Sequence, residues 1–595
     1  MKSWPFSSGF GIVVVMKSSL EQIRHSLAHL LGAAVLELYP GSKLAIGPAI
    51  DDGFYYDIDI NGKVSDADLE TIEKKMGEIL KTWKEFSGRE VSADEARKVF
   101  KDNRFKEEII AELEKKGDTI TLYTSGDFTD LCRGGHAEDI KDINPKAFKL
   151  SRVAGAYWRG DEKNPQLTRI YGYAFATKDE LQKHLAMLEE AKKRDHRVLA
   201  QQLDLFSQHD ISPGAIFWHP KGMILWKELE KYIRSKNDEY GYGEVSTPIM
   251  VKKSLYETSG HWDHYREDGF WFDIGEETYV LKPMNCPEAT LIYSSALRSY
   301  RDLPLRFAEP TGRLHRNELK GVLGGLFRVR QFTQDDAHVF CRADQIDEEV
   351  SSLIKYTKEI YDTFGLPISF RFATKPDKAM GDAKLWEQAE AALEGVLKNQ
   401  GIKYETKPKD GAFYGPKIDI HAKDAIGREH QVATIQLDFQ MPERFELEYH
   451  DAEGNIQRPV MIHRAIYGSF ERFLGVLIEH YAGAFPLWLA PVQVAIITVS
   501  DKQQAYAEGV FHKFKHAGIR VELHNENETL GKKIRNAEMQ KIPYLFIIGD
   551  KEVDSQSISG RKRSFGQAQD KGSDLGTMNP DDAVAQLQEE ISKRK

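Results

Sequence analysis

The sequence predicts a multidomain protein that combines α+β and α/β architecture. Its 595 residues correspond to about three to five domains, at about 100–200 residues per domain. A hydrophobic fraction of 41% and an aromatic fraction of 11% are enough to build real cores and exclude a disordered chain. Segments with helical spacing and strand-like segments both occur, and their order differs along the chain.

Charge and cysteine content narrow the functional classes. The chain carries 82 basic and 92 acidic residues, a net charge of -10, which excludes a wholly basic nucleic-acid coat but not a local basic site. Its 3 cysteines form no CxxC pair, which excludes a disulfide framework and indicates a reducing compartment, so we predict a cytoplasmic location. No apolar run approaches the roughly 20 residues of a membrane span, so no membrane partner is expected.

The first region is predicted to be α+β and to end at residue 177. Residues 1–16 are expected to form a short extension, with Met1 and Met16 both candidate start sites and a weak signal peptide the less favoured alternative. Apolar residues at helical spacing then predict a helix over 20–38. Further predicted elements are helices at 65–83 and 92–116 and strands at 119–131 and 166–176.

Three more regions follow along the chain. Residues 178–204 are highly charged and predict one long connector helix. Residues 205–488 are rich in strands, whereas residues 489–595 alternate strand and helix, which predicts a small mixed, largely parallel sheet. Helices inside these last two regions are predicted at 221–240, 346–364, 383–400, 503–517 and 531–541.

The densest chemical signal lies between residues 306 and 340. Two strand-like halves flank a glycine-rich loop, and strand alternation puts Arg316 and Glu318 on one shared face. Arg328 and Arg330 share a face in the same way. Planar guanidinium groups suit phosphate and carboxylate oxygens. A surface hairpin held by salt bridges is the alternative, but such a hairpin does not require the accompanying FTQDDAH.

Two pairs of metal-ligand residue types mark the N-terminal region. His25 and His29 share a face of the first predicted helix because they are four residues apart. Cys132 and His136 repeat that spacing. Four such side chains could complete a metal site. The residues alone leave metal binding and metal-free chemistry equally open.

Short motifs spread over residues 18 to 590 make the sequence resemble the class II aminoacyl-tRNA synthetases and, in detail, the bacterial threonyl-tRNA synthetases. The motifs are HSLAHLLG, GFYYD, DLCRGGH, AGAYWRGD, KRDHR, GHWDHY, KPMNCPE, RVRQFTQDDAH, FYGPKID, MIHRAIYGSFERF, APVQV and GDKEV. Relatives often begin with a ubiquitin-like domain, which we expect to be absent here or to have been lost in gene prediction. The implied domains are an α+β editing domain at 17–177, a linker helix at 178–204, an antiparallel-sheet class II catalytic core at 205–488 and an α/β anticodon-binding domain at 489–595.

The resemblance implies an ATP-dependent ligase that activates threonine as threonyl-adenylate and transfers it to the 3′-terminal adenosine of tRNA(Thr). A separate N-terminal site is implied to hydrolyse mischarged seryl-tRNA. Attack of a carboxylate on the ATP α-phosphate needs charge neutralisation and positioning more than a protein nucleophile, which suits the arginines. The implied partners are ATP with Mg²⁺, L-threonine, tRNA(Thr) and a second copy of the chain, in a homodimer formed through residues 220–250.

The resemblance also assigns roles in the ATP and threonine sites. Arg316 would contact the α-phosphate and the amino-acid carboxylate, and Lys417 is a further catalytic candidate. His261 would act near the terminal ribose of tRNA, either as a general base or only as an orienting group. The ATP-binding positions are Arg316, Glu318 for the adenine amino group, Arg328 and Arg472 for the γ-phosphate, Phe332 for stacking, and Gln431. The threonine-binding positions are Met284, Gln334, Asp336, Tyr414, Gln436 and Ser469.

Cys286, His338 and His463 match the three zinc ligands of the family, with one Zn²⁺ per subunit. Three protein ligands leave a fourth position open, which is the pattern of a reactive site. By resemblance, that position receives the amine and hydroxyl of the substrate. A site that ligates a hydroxyl rejects valine, which an apolar pocket discriminates poorly. Serine also offers both groups, and loss of one methyl gives only about 1–3 kcal/mol of discrimination, so a second, hydrolytic site is expected.

The resemblance assigns two further sets of residues and leaves Cys341 as a buried strand residue. The editing set, which in the family acts without a bound metal, is His25, His29, Lys106, Asp130, Cys132 and His136. The anticodon set is Asn527, Glu528, Lys551, Glu552 and Arg561, in which carboxylate and amide groups would read base edges.

Two other classes of function are the alternatives. A stand-alone editing hydrolase would explain residues 17–177 but not the arginines or the zinc triad. A catalytically inactive RNA-binding paralogue would be expected to lack Arg316, Arg472 or a zinc ligand, and all are present. Among synthetases, prolyl and seryl enzymes lack this Cys–His–His set, and alanyl enzymes lack this C-terminal domain.

Overall fold

A computed structural model describes residues 18–317, 324–563 and 573–594 of the chain. The chain divides into two compact units, Met1–Glu189 and Glu190–Lys595. The finer division into five parts stays a prediction. Within the described residues, no helix has the length and apolar character that a membrane crossing requires.

The first unit contains an antiparallel five-stranded sheet packed against the predicted N-terminal helix. That helix, Leu20–Leu38, is confirmed at both ends, and Ser19 starts it with a capping box in which its side chain accepts from the Gln22 amide. One face of the helix buries Leu27 and Leu31 against the sheet residues of the same core. The strands of this sheet are Lys43–Leu44, Ala49–Ile50, Gly53–Asp59, Phe148–Tyr157 and Gln166–Ala174.

The first unit also contains residues 92–116, which were predicted to form one helix. That prediction is wrong, because the segment forms two helices, Ala93–Val99 and Arg104–Lys116. Asp102 takes a positive φ of 71° between them, and the Asn103 side chain caps the second helix by accepting from the Lys106 amide. The remaining elements are the helix Leu69–Leu80 and the antiparallel strands Ser87–Glu90, Thr121–Ser125 and Phe128–Leu131.

The prediction of one connector helix over 178–204 is also wrong. The segment forms two helices, Lys178–Arg194 and His196–Leu203. Asp195 separates them because its side chain accepts from the Arg197 amide at 2.9 Å and so starts the second helix.

An eight-stranded sheet forms the centre of the second unit, as expected for the predicted catalytic core. Every pairing inside the sheet is antiparallel, and only the two outermost pairings are parallel. Val460–Ala465 is the last of these strands in the chain, yet it lies between Asp336–Cys341 and Glu429–Asp438. The strand order is Gly243–Glu244, Leu305–Glu309, Asp336–Cys341, Val460–Ala465, Glu429–Asp438, Lys417–Lys423, Ile368–Ala373 and Tyr404–Lys407.

Helices and short hairpins surround this sheet. The predicted helices at 221–240, 346–364 and 383–400 are confirmed to within a residue. The helices are Pro220–Glu239, Lys253–Ser259, His261–Tyr265, Cys286–Ser294, Ile346–Phe364, Ala383–Asn399, Gln440–Arg444 and Phe470–His480. The short strands are Phe206–Ser207 with Phe217–Trp218, Met250–Lys252 with Phe270–Ile274 and Glu277–Leu281, Arg313–His315 with Gln331–Thr333, and Tyr449–His450 with Ile456–Gln457.

The C-terminal part of the second unit carries a five-stranded sheet of mixed direction. Its first three strands are parallel and the last two pair antiparallel, so the predicted mixed sheet is confirmed but only half of its pairings are parallel. The strand order is Val521–His524, Val494–Thr498, Tyr544–Ile548, Ile558–Lys562 and Ser573–Met578. The helices are Gln504–His516, Leu530–Met539, Asp550–Asp554 and Pro580–Ser592.

Candidate active sites

Three side chains of metal-ligand type meet at the centre of the eight-stranded sheet of the predicted catalytic core (the catalytic sheet). Cys286 opens the helix Cys286–Ser294, and His338 and His463 are direct partners on neighbouring antiparallel strands. All three are buried, and one ligand atom of each lies within 4.8 Å of the others. Strand pairing thus brings together residues that are far apart in the sequence.

The surroundings of this triad fit a bound metal ion. Asp438 Oδ2 accepts a hydrogen bond from His463 Nε2 at 3.0 Å, and a carboxylate behind a histidine is the usual support of a metal ligand. Burial lowers the pKa of His338 well below its usual value, so its imidazole is neutral and able to ligate. Burial, followed by Asp336, raises the pKa of the Cys286 thiol well above its usual range. A bound cation would offset that penalty by stabilising the thiolate, and one thiolate with two imidazoles is a donor set that suits zinc.

A cavity of about 150 Å³ lies beside the triad. The predicted residues that line it are Arg316, Phe332, Met284, Gln334, Asp336, Tyr414 and Gln436, together with the triad itself. Lys417, Gln431 and Ser469 are not among the lining residues. Tyr265, Asp268 and Thr434 line it without having been predicted. Thr434 could have been found, because it is two residues from Gln436 on one strand and therefore on the same face.

Hydrogen bonds fix the polar side chains of this cavity. Asn285 Nδ2 donates to Asp336 Oδ2 at 3.0 Å. Burial raises the pKa of Asp336 to about 6. Tyr414 donates to Gln436, and Gln436 Nε2 donates to Thr434 Oγ1 at 3.2 Å. These hydrogen bonds orient the side chains of Asp336, Tyr414 and Gln436 in the cavity.

Lys417 lies on the strand next to the one that carries Gln436 and Thr434. It is the direct cross-strand partner of Gln436, and its ammonium group pairs with Asp419. Asp419 Oδ1 also accepts from Thr434 Oγ1 at 3.1 Å. Lys417 is thus joined to the cavity through Asp419 and Thr434.

Arg316 enters the cavity from the end of a short hairpin. Its amide donates to the Arg330 carbonyl at 2.8 Å, next to the strand pair Arg313–His315 and Gln331–Thr333. The guanidinium donates to Asp268 Oδ2 at 3.1 Å and lies 5.4 Å from the centre of the Tyr265 ring. Glu318 lies outside the described residues, so the shared face predicted for Arg316 and Glu318 stays a prediction.

The predicted strand placement of Arg328 and Arg330 is wrong. The strand begins only at Gln331, whereas Arg328 forms an isolated bridge with Gly324 and the Arg330 amide donates to the Gly214 carbonyl at 2.7 Å.

Arg472 reaches the same region from the helix Phe470–His480. Ser469 caps that helix by accepting from the Arg472 amide at 3.1 Å. The Arg472 guanidinium donates to the Gln431 carbonyl at 3.4 Å and to the Phe327 carbonyl at 3.3 Å. Ser469 and Gln431 therefore contact Arg472, and Ser469 also forms an isolated bridge with Gln334 of the cavity lining.

His261 is buried against the triad. The Ser259 hydroxyl donates to the Tyr256 carbonyl at 3.2 Å, so the 2.8 Å contact between Ser259 Oγ and His261 Nδ1 has the imidazole as donor. Nε2 then keeps its lone pair and lies 3.5 Å from Cys286 Sγ. Burial, with His463 second, lowers the pKa of His261 to about 3, so the imidazole is neutral near pH 7.

The four predicted cysteine and histidine residues of the first unit also converge. His25, His29, Cys132 and His136 place one ligand atom each within 4.8 Å of one another. Cys132 Sγ lies 3.4 Å from His25 Nε2 and 3.3 Å from His136 Nε2. Burial raises the pKa of Cys132 to about 11 and lowers that of His136 to about 2. The cluster is therefore a neutral thiol among neutral imidazoles.

The cluster adjoins a cavity of about 360 Å³ and a buried charged pair. Lys106 Nζ lies 2.5 Å from Asp130 Oδ1, and His29 Nδ1 lies 3.7 Å from Asp130 Oδ2. Tyr56 donates to Asp130 and accepts from Lys106 Nζ at 3.3 Å. Tyr56 was not predicted, although it stands in the quoted motif GFYYD on the strand Gly53–Asp59.

Four of the five predicted anticodon residues lie at one edge of the C-terminal sheet. Asn527 and Glu528 follow the strand Val521–His524, and Lys551 and Glu552 follow Tyr544–Ile548. Both strands run parallel to Val494–Thr498, so their carboxyl ends meet at the same edge.

Arg561 is placed differently from the other four. It pairs with Leu545, near the start of the strand Tyr544–Ile548 and hence toward the opposite edge.

Family comparisons give the same domain content. Residues 120–171 match the family "Threonyl and Alanyl tRNA synthetase second additional domain". Residues 270–481 match "tRNA synthetase class II core domain (G, H, P, S and T)". Residues 493–590 match "Anticodon binding domain".

Individual proteins resemble most of the chain. A threonine–tRNA ligase from Clostridium tetani is 49% identical over 96% of this chain and 88% of its own length. A threonine–tRNA ligase from Thermotoga maritima is 49% identical over 97% of this chain and 89% of its own length. Among solved structures, the RNA binding domain of threonyl-tRNA synthetase from Cryptosporidium parvum is 39% identical, with a TM-score of 0.63. The match covers 66% of this chain and 98% of the solved chain.

Proposed function

The chain belongs to the threonine–tRNA ligase family, and we propose that its Cys286–His338–His463 triad is a zinc site that selects threonine for activation. The chain charges tRNA with threonine and edits mischarged tRNA. The observation that carries the zinc proposal is the buried triad, with its ligand atoms within 4.8 Å, on the wall of a cavity of about 150 Å³. Zinc bound there would ligate the amine and hydroxyl of threonine.

The residues around the triad support the selection of threonine over valine. Asp336 faces the same cavity with one oxygen already held by Asn285, which leaves the other to accept from the substrate hydroxyl. A valine side chain would leave these polar groups without partners, and such a loss is the basis of strong rejection. Tyr414 and Gln436, which lie next to His463, are held by their mutual hydrogen bond.

Adenylate formation is proposed to rely on arginines from two elements. The threonine carboxylate attacks the ATP α-phosphate, a P–O bond forms, and pyrophosphate leaves with the electron pair of the broken bond. Arg316 lines the cavity and is proposed to contact both the carboxylate and the α-phosphate. Arg328 and Arg472 are proposed to hold the γ-phosphate, with Mg²⁺ accompanying the nucleotide. Their role is charge neutralisation and alignment, which is where most of the rate enhancement of such a transfer arises.

Transfer to tRNA is proposed to use His261. The 3′-terminal ribose hydroxyl attacks the adenylate carbonyl, and its proton goes to a base as AMP leaves. His261 Nε2 carries the lone pair that such a base needs, because Nδ1 donates to Ser259. An orienting role without proton transfer is the alternative, and the rate of single-turnover transfer in a His261→Ala variant tests the two. A loss of about 10²-fold or more supports the base, whereas a loss below tenfold supports orientation.

The editing site is proposed to hydrolyse seryl-tRNA without a metal ion. The candidate groups are His25, His29, Lys106, Asp130, Cys132 and His136. The carboxylate nearest to His29 is already paired with Lys106 at 2.5 Å, which reduces its ability to support a metal-bound histidine. Water attack on the serine ester would be oriented by the neutral imidazoles.

The remaining proposals concern partners and location. We propose that Asn527, Glu528, Lys551, Glu552 and Arg561 contact the anticodon of tRNA(Thr). We also propose a homodimer through residues 220–250 and a cytoplasmic location, which the sparse cysteine content supports.

The experiment that tests the zinc proposal is ATP–pyrophosphate exchange with threonine, serine and valine, before and after chelation of zinc. We expect exchange with threonine and weaker exchange with serine, none above background with valine, and loss of activity on chelation that added Zn²⁺ restores. Exchange with valine, or activity that is indifferent to chelation, would contradict the proposal.

A further inference from the structure

We propose that His196 is a positioning residue for ATP binding, which holds the backbone between Gly324 and Arg328 against the helix that carries Arg472. This rests on the proposed γ-phosphate roles of Arg328 and Arg472. His196 opens the helix His196–Leu203 and is 3% exposed, so its imidazole lies inside the second unit.

Both nitrogens of the His196 ring are used by the protein. The Leu326 amide donates to Nε2 at 2.9 Å, so Nε2 carries the lone pair and the proton is on Nδ1. Nδ1 therefore donates to Glu479 Oε1, at 2.7 Å. The His196 amide donates to the same oxygen at 3.1 Å. This occupancy of both nitrogens argues against a metal at the cluster of Asp195, His196 and Glu479.

The hydrogen bond from the Leu326 amide to His196 holds the loop formed by the backbone between Gly324 and Arg328. The Phe327 ring packs on the imidazole with ring centres 4.5 Å apart, and the Phe327 carbonyl accepts from the Arg472 guanidinium at 3.3 Å. Arg328 is the next residue and bridges to Gly324. A shift of Leu326 would thus move the acceptor that orients Arg472 and the residue that presents Arg328.

Gly325 shows how closely the loop approaches the imidazole. It has a positive φ of 54°, and a Cβ placed there would lie 2.0 Å from His196 Nε2. Only glycine combines that conformation with that approach. The loop sequence is therefore fitted to the histidine.

The Glu479 end anchors the imidazole to the helix Phe470–His480. Glu479 also pairs with Arg428, whose guanidinium is 2.7 Å from Asp424. Arg194 donates to the carbonyls of Glu479 and His480 at 3.3 Å and 2.8 Å, which caps the helix end. Arg472 lies at the other end of this helix, so His196 joins the two elements that deliver the two arginines.

The test compares two substitutions that each keep one half of the bridge. His196→Asn retains a donor toward Glu479 but loses the acceptor for Leu326, whereas His196→Gln retains an acceptor toward Leu326 but loses the donor to Glu479. In ATP–pyrophosphate exchange we expect the KM for ATP to rise about tenfold in His196→Asn and about twofold or less in His196→Gln. The KM for threonine should stay within about twofold in both, because His196 does not line the threonine cavity.

The matched control is His219→Asn, which removes a histidine that contacts Asp204 at 2.6 Å in the same part of the chain and should leave the KM for ATP unchanged. Equal KM values for ATP in the Asn and Gln variants, or a parallel rise in both KM values, would overturn the inference. The Arg472→Ala variant distinguishes a failure of the positioning role of His196 from a failure of the proposed phosphate role of Arg472. If it raises the KM for ATP while His196→Asn does not, only the positioning role fails. If Arg472→Ala leaves that KM unchanged, the proposed phosphate role fails.

Discussion

The two clusters of cysteine and histidine in this chain use the same side chains in different settings. In the catalytic sheet, Cys286, His338 and His463 are all buried, and His463 is held by the carboxylate of Asp438 at 3.0 Å. In the first unit, Cys132 is partly exposed and contacts two imidazoles, and the nearest carboxylate is paired with a lysine.

This difference shows that residue type alone does not decide whether a cluster binds metal. A carboxylate behind a histidine raises its basicity toward a metal, whereas a carboxylate that is already neutralised does so less. Both clusters contain one cysteine and two or three histidines. Their proposed roles therefore differ because of the carboxylates that lie next to the histidines.

The largest effect is expected when one of the three proposed zinc ligands, Cys286, His338 and His463, is removed. We expect His463→Ala to lower the rate of threonine-dependent ATP–pyrophosphate exchange by about 10³-fold or more and to abolish zinc retention, because two ligands remain. Deacylation of seryl-tRNA should stay unchanged. The control is Cys341→Ala, a buried cysteine outside both clusters, which should keep its zinc. Retained exchange in His463→Ala would contradict the zinc assignment.

The next effect is on editing. We expect His29→Ala combined with Cys132→Ala to slow deacylation of seryl-tRNA by about 10²-fold or more and to leave threonine charging intact. Metal analysis of the wild type and of this variant should give one zinc per chain in each. Two zinc ions in the wild type and one in the variant would instead make the first-unit cluster a metal site.

A smaller effect is expected from the carboxylate that distinguishes the clusters. Asp438→Asn should weaken zinc affinity by about 10–100-fold, as measured by competition with a chromophoric chelator, because His463 loses its anionic partner. The matched control is Asp204→Asn, which removes the carboxylate of an exposed pair with His219. An unchanged zinc affinity in Asp438→Asn would show that Asp438 does not support the metal.

The smallest effect is a pH dependence of stability that arises in the first-unit cluster. Burial lowers the pKa of His136 from 6.5 in the unfolded chain to about 2 in the folded protein. Below pH 6.5 the unfolded state therefore binds a proton that the folded state does not, so stability falls as pH falls through that range, by about 1.4 kcal/mol per pH unit for each such group. Hydrogen-exchange protection of the helix Leu20–Leu38, measured at pH 7 and pH 5.5, should fall in the wild type and fall less in His136→Gln. Identical pH dependence in the two proteins would exclude His136 as a source.

Sequence reasoning identified long periodic elements and motif residues but not the local breaks. The helix Leu20–Leu38 follows from its apolar period. The breaks at Asn103 and Asp195 were missed because a single side chain that caps a helix overrides a continuing helical pattern.

The candidate sites were predictable only through motifs. The triad ligands come from positions joined by strand pairing, which spacing in the sequence does not show. Tyr56 and Asp268 were missed because their roles arise from contacts with other elements, not from their own neighbours in the chain.

The strand order has a consequence for synthesis on the ribosome. Val460–Ala465 is the last-made strand of the catalytic sheet, but it occupies the middle and supplies His463. A nascent chain shorter than this point has two incomplete half-sheets whose inner edges lack their partner. Because His463 lies on that strand, the triad stays incomplete until the strand completes the middle of the sheet.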